Sequence, residues 1–137
     1  MTTDLEQLGR AVKAAQHRQH RTLELALSAI DTTVVQWDAL RAIARSPGAS
    51  AHALAVATFQ TDQSFGTLAN RLETQGLIER RAGDGRRIEH RLTPAGTRML
   101  AEANKVATRI REELFEPLNE PDRRALQKIL ARLLAAE

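Results

Sequence analysis

The chain has no cysteine, no tyrosine and a single tryptophan, Trp37, and aromatic residues make up only 3% of it. The missing cysteine excludes disulfides, thiolate metal ligation and cysteine-based redox sensing. No apolar run approaches the roughly 18 residues that a membrane-spanning helix needs, and no charged-then-apolar leader is present, so the cytoplasm is the expected address. There is no Ser/His/Asp order, no phosphate-cradling glycine loop and no pair of carboxylates in a recognisable frame. An enzyme is therefore not expected, and nothing in the sequence asks for a cofactor. Lysine is scarce too: apart from Lys13, Lys105 and Lys128, every Lys or Arg position is arginine. The arginine fork suits phosphates and base edges better than a hydrated ammonium does. A GC-rich genome produces the same bias, so position has to decide between the two.

What is present fits one globular domain. The 137 residues are 42% hydrophobic and 27% charged, with a formal net charge of +3. That length supports one core and is short for two independent ones.

Leu5, Leu8, Val12, Ala15, Gln19 and Leu23 recur at steps of three and four, which predicts an amphipathic helix from Asp4 to about Leu27. Asp31-Thr32-Thr33 offers a turn and an N-cap for a second helix, Val34 to about Arg45, with Trp37, Leu40, Ile43 and Ala44 on its apolar side. Ser46-Pro47-Gly48 stops it. Ser50 can cap a short third helix, and Thr61 or Asp62 a fourth that runs to about Gln75 with Gly76 just past its end. Phe65, Leu68, Ala69 and Leu72 form the inner stripe of the fourth helix, so Gln63, Thr67, Asn70 and Thr74 face outward. Two short runs around Ala82-Gly83-Asp84-Gly85 predict a β-hairpin. Thr93-Pro94 opens a fifth helix, carrying Met99, Leu100, Ala103, Val106, Ala107, Ile110 and Leu114. A sixth begins near Pro121 and buries Leu126, Ile129, Leu130, Leu133 and Leu134. The fold class is thus mainly α: a winged helix-turn-helix over 31–98, with terminal helices 1–30 and 99–137. Those helices hold more apolar surface than the small module can cover, which points to a partner subunit.

Two short helices joined tightly, the second polar outside, are what major-groove reading requires. Gln63 and Asn70 can bond adenine bidentately, and the Thr67 methyl can meet thymine. Ser50, Ser64 and Arg71 complete the candidate contacts of the helix pair. A merely solvated helix face would look the same, and the hairpin shifts the balance. It sets Arg80, Arg81, Arg86, Arg87 and Arg91 against Asp84 and Glu89, on a loop able to reach an adjacent minor groove.

Several segments resemble the MarR family of winged-helix repressors. They are Gln36-Trp37-Asp38-Ala39-Leu40, the run from Asn70 to Arg80, Asp84-Gly85-Arg86 and Leu92-Thr93-Pro94-Ala95-Gly96. The resemblance implies a homodimer built from the terminal helices on a pseudo-palindromic operator. It implies Arg86 in the minor groove with Asp84 supporting it and Arg87 close by. It also implies a small aromatic or phenolic effector that binds between the dimer helices and the DNA-binding lobe and releases the DNA. The chain departs from the family at Thr58-Phe59-Gln60 in the helix pair's turn and at Gly66 in the fourth helix. Trp37 with Arg41 one turn on could stack and pair an anionic aromatic ligand, with His17 or Arg21 as further walls. His17 and His20 have metal-like spacing, but no third ligand stands beside them in sequence, and His52 and His90 are isolated. Two rival functions remain: a winged helix used as a protein-interaction module, and a DNA-binding architectural protein of low specificity.

Overall fold

The computed structural model describes residues 1–135. The helices are α1 (Leu5–Ser28), α2 (Val34–Arg45), α3 (Ala51–Ala57), α4 (Asp62–Thr74), α5 (Pro94–Leu114) and α6 (Glu120–Leu134). Strands β1 (Ile78–Ala82) and β2 (Ile88–Leu92) lie between α4 and α5. Side-chain oxygens cap every helix start: Asp4, Thr33, Ser50, Thr61, Thr93 and Asn119 each accept a backbone N–H from the first turn. These groups satisfy donors that a helix cannot satisfy internally. The strands pair antiparallel, with Ile78 opposite Leu92 and Arg80 opposite His90.

Two apolar cores meet along α2 and the first half of α5. The first gathers Leu40 and Ile43 of α2, Leu54 of α3, the Phe65, Leu68 and Leu72 stripe of α4, and Leu77 and Ile78. The second gathers Leu23 and Leu27 of α1, Val34 and Trp37 of α2, and Ala103, Ala107 and Ile110 of α5. Leu100 packs against both. Because α2 is covered on two sides, its apolar side differs from the single stripe the sequence suggests. Ala39 and Ala42 are buried, and Ala44 is exposed.

The expected burial by the sixth helix is not found within one chain. No residue of α6 is buried, and Ile129, Leu130, Leu133 and Leu134 are exposed. Leu5, Leu8 and Val12 of α1 are exposed as well. An amphipathic helix contributes stability by covering its apolar face, and among the described residues of α6 only Leu126 is even half-buried.

The start of α5 sits directly on the carbonyl of Leu77. A Cβ at Gly96 would run into that oxygen, and this explains a glycine in the first turn of the helix. Gly66, inside α4, has open space around its Cα. The two glycines should therefore answer oppositely to alanine in chemical denaturation. Gly66→Ala should stabilise the fold by about 0.5–1 kcal/mol through helix propensity. Gly96→Ala should cost about 1–3 kcal/mol or more through forced overpacking. A stabilising Gly96→Ala would contradict the close approach.

Candidate nucleic-acid interface

The reading unit is the α3–α4 pair. Its turn is set by local bonds: the Thr58 hydroxyl donates to the Leu54 carbonyl at 2.7 Å, and Gln60 N–H donates to the Ala55 carbonyl at 2.9 Å. Phe59 occupies the left-handed region at φ 57° and is exposed. His52 Nδ1 meets an Asp62 carboxylate oxygen at 2.9 Å, tying α3 to the first turn of α4. The apolar stripe of α4 is fully buried, while Gln63, Ser64, Thr67, Asn70 and Arg71 are all exposed. The Thr67 hydroxyl donates to the Gln63 carbonyl at 3.1 Å, a bond that leaves its methyl as the group it can offer a base. Ser50 accepts the Ala53 N–H at 3.2 Å and serves first as a helix cap.

Asn70, expected to read adenine, is engaged within the chain. Its side-chain oxygen accepts from Arg80 Nη2 at 2.6 Å, and the same nitrogen donates to Glu73 at 2.8 Å. The bond from Arg80 uses one of the two lone pairs of the amide oxygen and ties it to the wing. The Arg80 hydrogen bond holds the Glu73 carboxyl below its ordinary pKa. Arg80 therefore braces β1 against α4 and is not extended toward a duplex.

The remaining wing arginines divide in the same way. Arg81 pairs with Glu79 at 2.6 Å and Arg91 with Glu89 at 3.4 Å. Arg87, read from sequence as a contact beside Arg86, instead donates Nη2 to the Gly48 carbonyl at 2.8 Å. Arg86 is exposed and has no hydrogen bond or ion pair among the described residues. The expected side-chain support from Asp84 is also absent among them. Asp84 acts through its backbone, its carbonyl accepting Arg87 N–H at 3.3 Å, while Gly83 N–H donates to the Arg87 carbonyl at 2.8 Å. Gly85, at φ 65°, completes the turn that carries Arg86.

Trp37 and Arg41 do come together, but not as an open ligand wall. Trp37 is 2% exposed, and its indole N–H donates to the Asn104 side-chain oxygen at 2.9 Å. The Arg41 guanidinium covers the ring at 3.8 Å from its centroid and pairs with Asp38. Arg111, which the sequence reading passed over, sits 5.0 Å from the same centroid. Its place four residues after Ala107 on the inner stripe of α5 was the available signal. Burial and the neighbouring Arg41 push the Arg111 guanidinium below its ordinary pKa, with Asp38 opposing. Arg41 Nε is buried with no partner among the described residues. His17 and Arg21 are exposed on α1, and no bond joins them to Trp37. A separate groove of about 740 Å³ runs between α1, the end of α5 and α6, lined by Val12, Ala15, Leu114, Phe115, Leu126 and Leu130 among others.

The Trp37–Asn104 bond joins α2 to α5 and has a measurable consequence. Asn104→Ala strands a buried indole N–H and should lower unfolding free energy by about 1–3 kcal/mol. Equilibrium denaturation followed by Trp37 fluorescence reads the loss, and an unchanged midpoint would rule the bond out as a structural tie.

Comparison with known proteins adds five findings. A family model described as MarR family matches residues 30–88. The HTH-type transcriptional repressor Rv2887 of Mycobacterium tuberculosis is 29% identical over 110 residues, covering 79% of each chain. Its crystal structure with salicylic acid aligns at TM-score 0.75 and 26% identity, covering 92% of this chain and 95% of that one. The transcriptional repressor CouR bound to p-coumaroyl-CoA aligns at TM-score 0.84 and 28% identity, covering 95% and 93%. A mutant MarR from Escherichia coli in complex with operator DNA aligns at TM-score 0.87 over 93% of both chains; at 22% identity this is a likeness of fold.

Proposed function

We propose that the chain, a member of the MarR family of DNA-binding transcriptional regulators, is a homodimeric repressor released from its operator by a small aromatic anion. The observation that supports the DNA contact best is the company Arg86 keeps. Every other wing arginine is tied to a carboxylate or carbonyl, and Arg86 alone extends from the hairpin tip without such a tie among the described residues. The exposed face of α4 carries Gln63, Ser64, Thr67 and Arg71. In this reading α4 enters the major groove, Gln63 and Thr67 meet base edges, and Ser64 and Arg71 meet phosphates. Arg86 reaches the adjacent minor groove, where narrow A·T stretches concentrate negative potential.

Dimerisation supplies the second half-site. The exposed stripes of α1 and α6 and the groove between them offer an apolar face for a second copy. In this division 31–98 is the DNA-binding lobe, and 1–30 with 99–137 is the dimer region, whose final two residues lie outside the described ones. A two-fold dimer reads a pseudo-palindrome with half-site centres about 10 base pairs apart.

The effector reading rests on Arg41 and Arg111. Two like charges share one indole, and one of their nitrogens is buried without an acceptor among the described residues. A carboxylate would relieve both conditions, and an aromatic carrier would add stacking area. Rv2887 has been crystallised with salicylic acid, and CouR with p-coumaroyl-CoA. The pair lies where α2 of the reading lobe meets α5 of the dimer region, so a ligand there can favour one lobe geometry over another. It can shift binding only by its difference in affinity for the two states.

Two measurements test this function. Arg86→Ala should weaken duplex binding and flatten the dependence of log affinity on log salt by about 0.9, the share of one phosphate-equivalent contact. Fluorescence anisotropy across a salt series reads it, and an unchanged slope would remove Arg86 from the interface. Salicylate should weaken DNA binding about 5- to 150-fold, as a coupling of about 1–3 kcal/mol requires. That effect should vanish in Arg111→Ala. Displacement of equal size in wild type and variant would move the effector site elsewhere.

A further inference from the structure

His90 is isolated in sequence and central in the structure. It is 1% exposed, on the inner side of β2. Its ring meets Phe65 of α4 edge to face, with centroids 6.0 Å apart. Its Nδ1 lies 3.0 Å from the Ala49 carbonyl oxygen, 41 positions away in sequence. A carbonyl only accepts, so Nδ1 bears a proton in this bond. The backbones add two bonds at the same place: His90 N–H donates to the Ala49 carbonyl at 3.2 Å, and Gly48 N–H donates to the His90 carbonyl at 2.9 Å. The Arg87 contact on the Gly48 carbonyl closes the junction one residue from Arg86.

We propose that His90 is the positioning residue of the wing: by bonding Ala49 and packing on Phe65, it fixes where the hairpin stands relative to α4, and so where Arg86 meets the duplex. The hairpin has only two strands, and such a ribbon is marginal without support from outside itself. Its outer supports are the Arg80 brace to α4 and the His90 and Arg87 ties to the segment before α3. His90 is the one among them that is fully enclosed and able to lose its neutrality near physiological pH. The charged groups facing it are Arg80, opposite in the strand register, and Glu73 of α4; Gly48 and Ala49 bring none. Burial pushes its pKa below the ordinary 6.5, with Arg80 acting the same way and the Ala49 bond and Glu73 opposing. A depressed histidine disfavours its charged form, so the docked wing is fully stable above pH 6.5 and loses stability as pH falls toward the lowered value.

The inference rests on the reading of Arg86 as a DNA contact, and a double-mutant cycle separates the two. The ligand is an A·T-rich duplex, read by anisotropy, with Arg86→Ala, His90→Val and the double variant compared at about pH 8, where histidine is neutral. His90→Val keeps a β-favouring apolar side chain and removes both the imidazole bond and the ring contact on Phe65. It should weaken binding about 2- to 10-fold, at least the worth of the lost hydrogen bond. In the Arg86→Ala background the same change should have almost no further effect. His90→Asn, which can still donate to Ala49, should restore affinity and abolish the extra loss seen in wild type at about pH 5.5. An equal loss from His90→Val in both backgrounds, or no loss in either, would overturn the proposal while leaving Arg86 in place. A silent Arg86→Ala would instead overturn the wing contact itself, and with it any role for His90 in placing that contact. If His90→Val does not fold, the acid profile of His90→Asn decides, and a profile like that of wild type would overturn it.

Discussion

The fold depends on α2 being buried on two sides at once. Leu40 and Ile43 belong to the core that holds the reading helix, and Val34 and Trp37 to the core formed with α1 and α5. A helix between two close-packed cores cannot tilt or slide without disturbing both, because protein interiors tolerate little change in packing. The position of α4 is thereby linked to that of the long helices. The Trp37–Asn104 bond and the stacked Arg41 strengthen the link where the two cores meet. In the proposed dimer, α2 is the physical link between the long helices and the reading helix.

The wing follows a different logic. It has little core of its own, so polar ties do most of the placing. Arg80 is spent on Glu73 and Asn70, Arg87 on Gly48, and His90 on Ala49. An arginine-rich hairpin thus uses most of its charge to hold itself in place and presents only a small part to a partner. Counting arginines would overstate the electrostatic attraction; asking which of them lack an internal acceptor gives Arg86.

Much of this architecture was legible in the sequence because it is local. Helix starts follow from caps such as Thr33, Thr61 and Thr93, and the α4 stripe follows from its spacing. Other features were not legible, for reasons of distance. Ala44 was expected inside because one apolar stripe was assumed, whereas coverage of α2 on two sides buries Ala39 and Ala42 instead. The partners of Asn70, Arg87 and His90 lie 10, 39 and 41 positions away, and no periodicity reports them. Trp37 was read as part of the apolar side of α2 and as a candidate ligand wall; it lies in the core, closed over by Arg41, with Arg111 close behind from a helix far along the chain. The exposed stripe of α6 was read as apolar surface to be buried, and one chain alone does not bury it.

The central claim is that two copies of α4, fixed by the dimer helices, read one face of a duplex together. The most direct test is to footprint the protein on the DNA upstream of its own gene and then insert about five base pairs between the protected half-sites, half a helical turn. A rigid two-fold dimer should lose tight binding to the altered site, and an insertion of about ten base pairs should restore less than the original affinity. Unchanged affinity after the half-turn insertion would contradict the account, because each half-site would then be bound independently of the other.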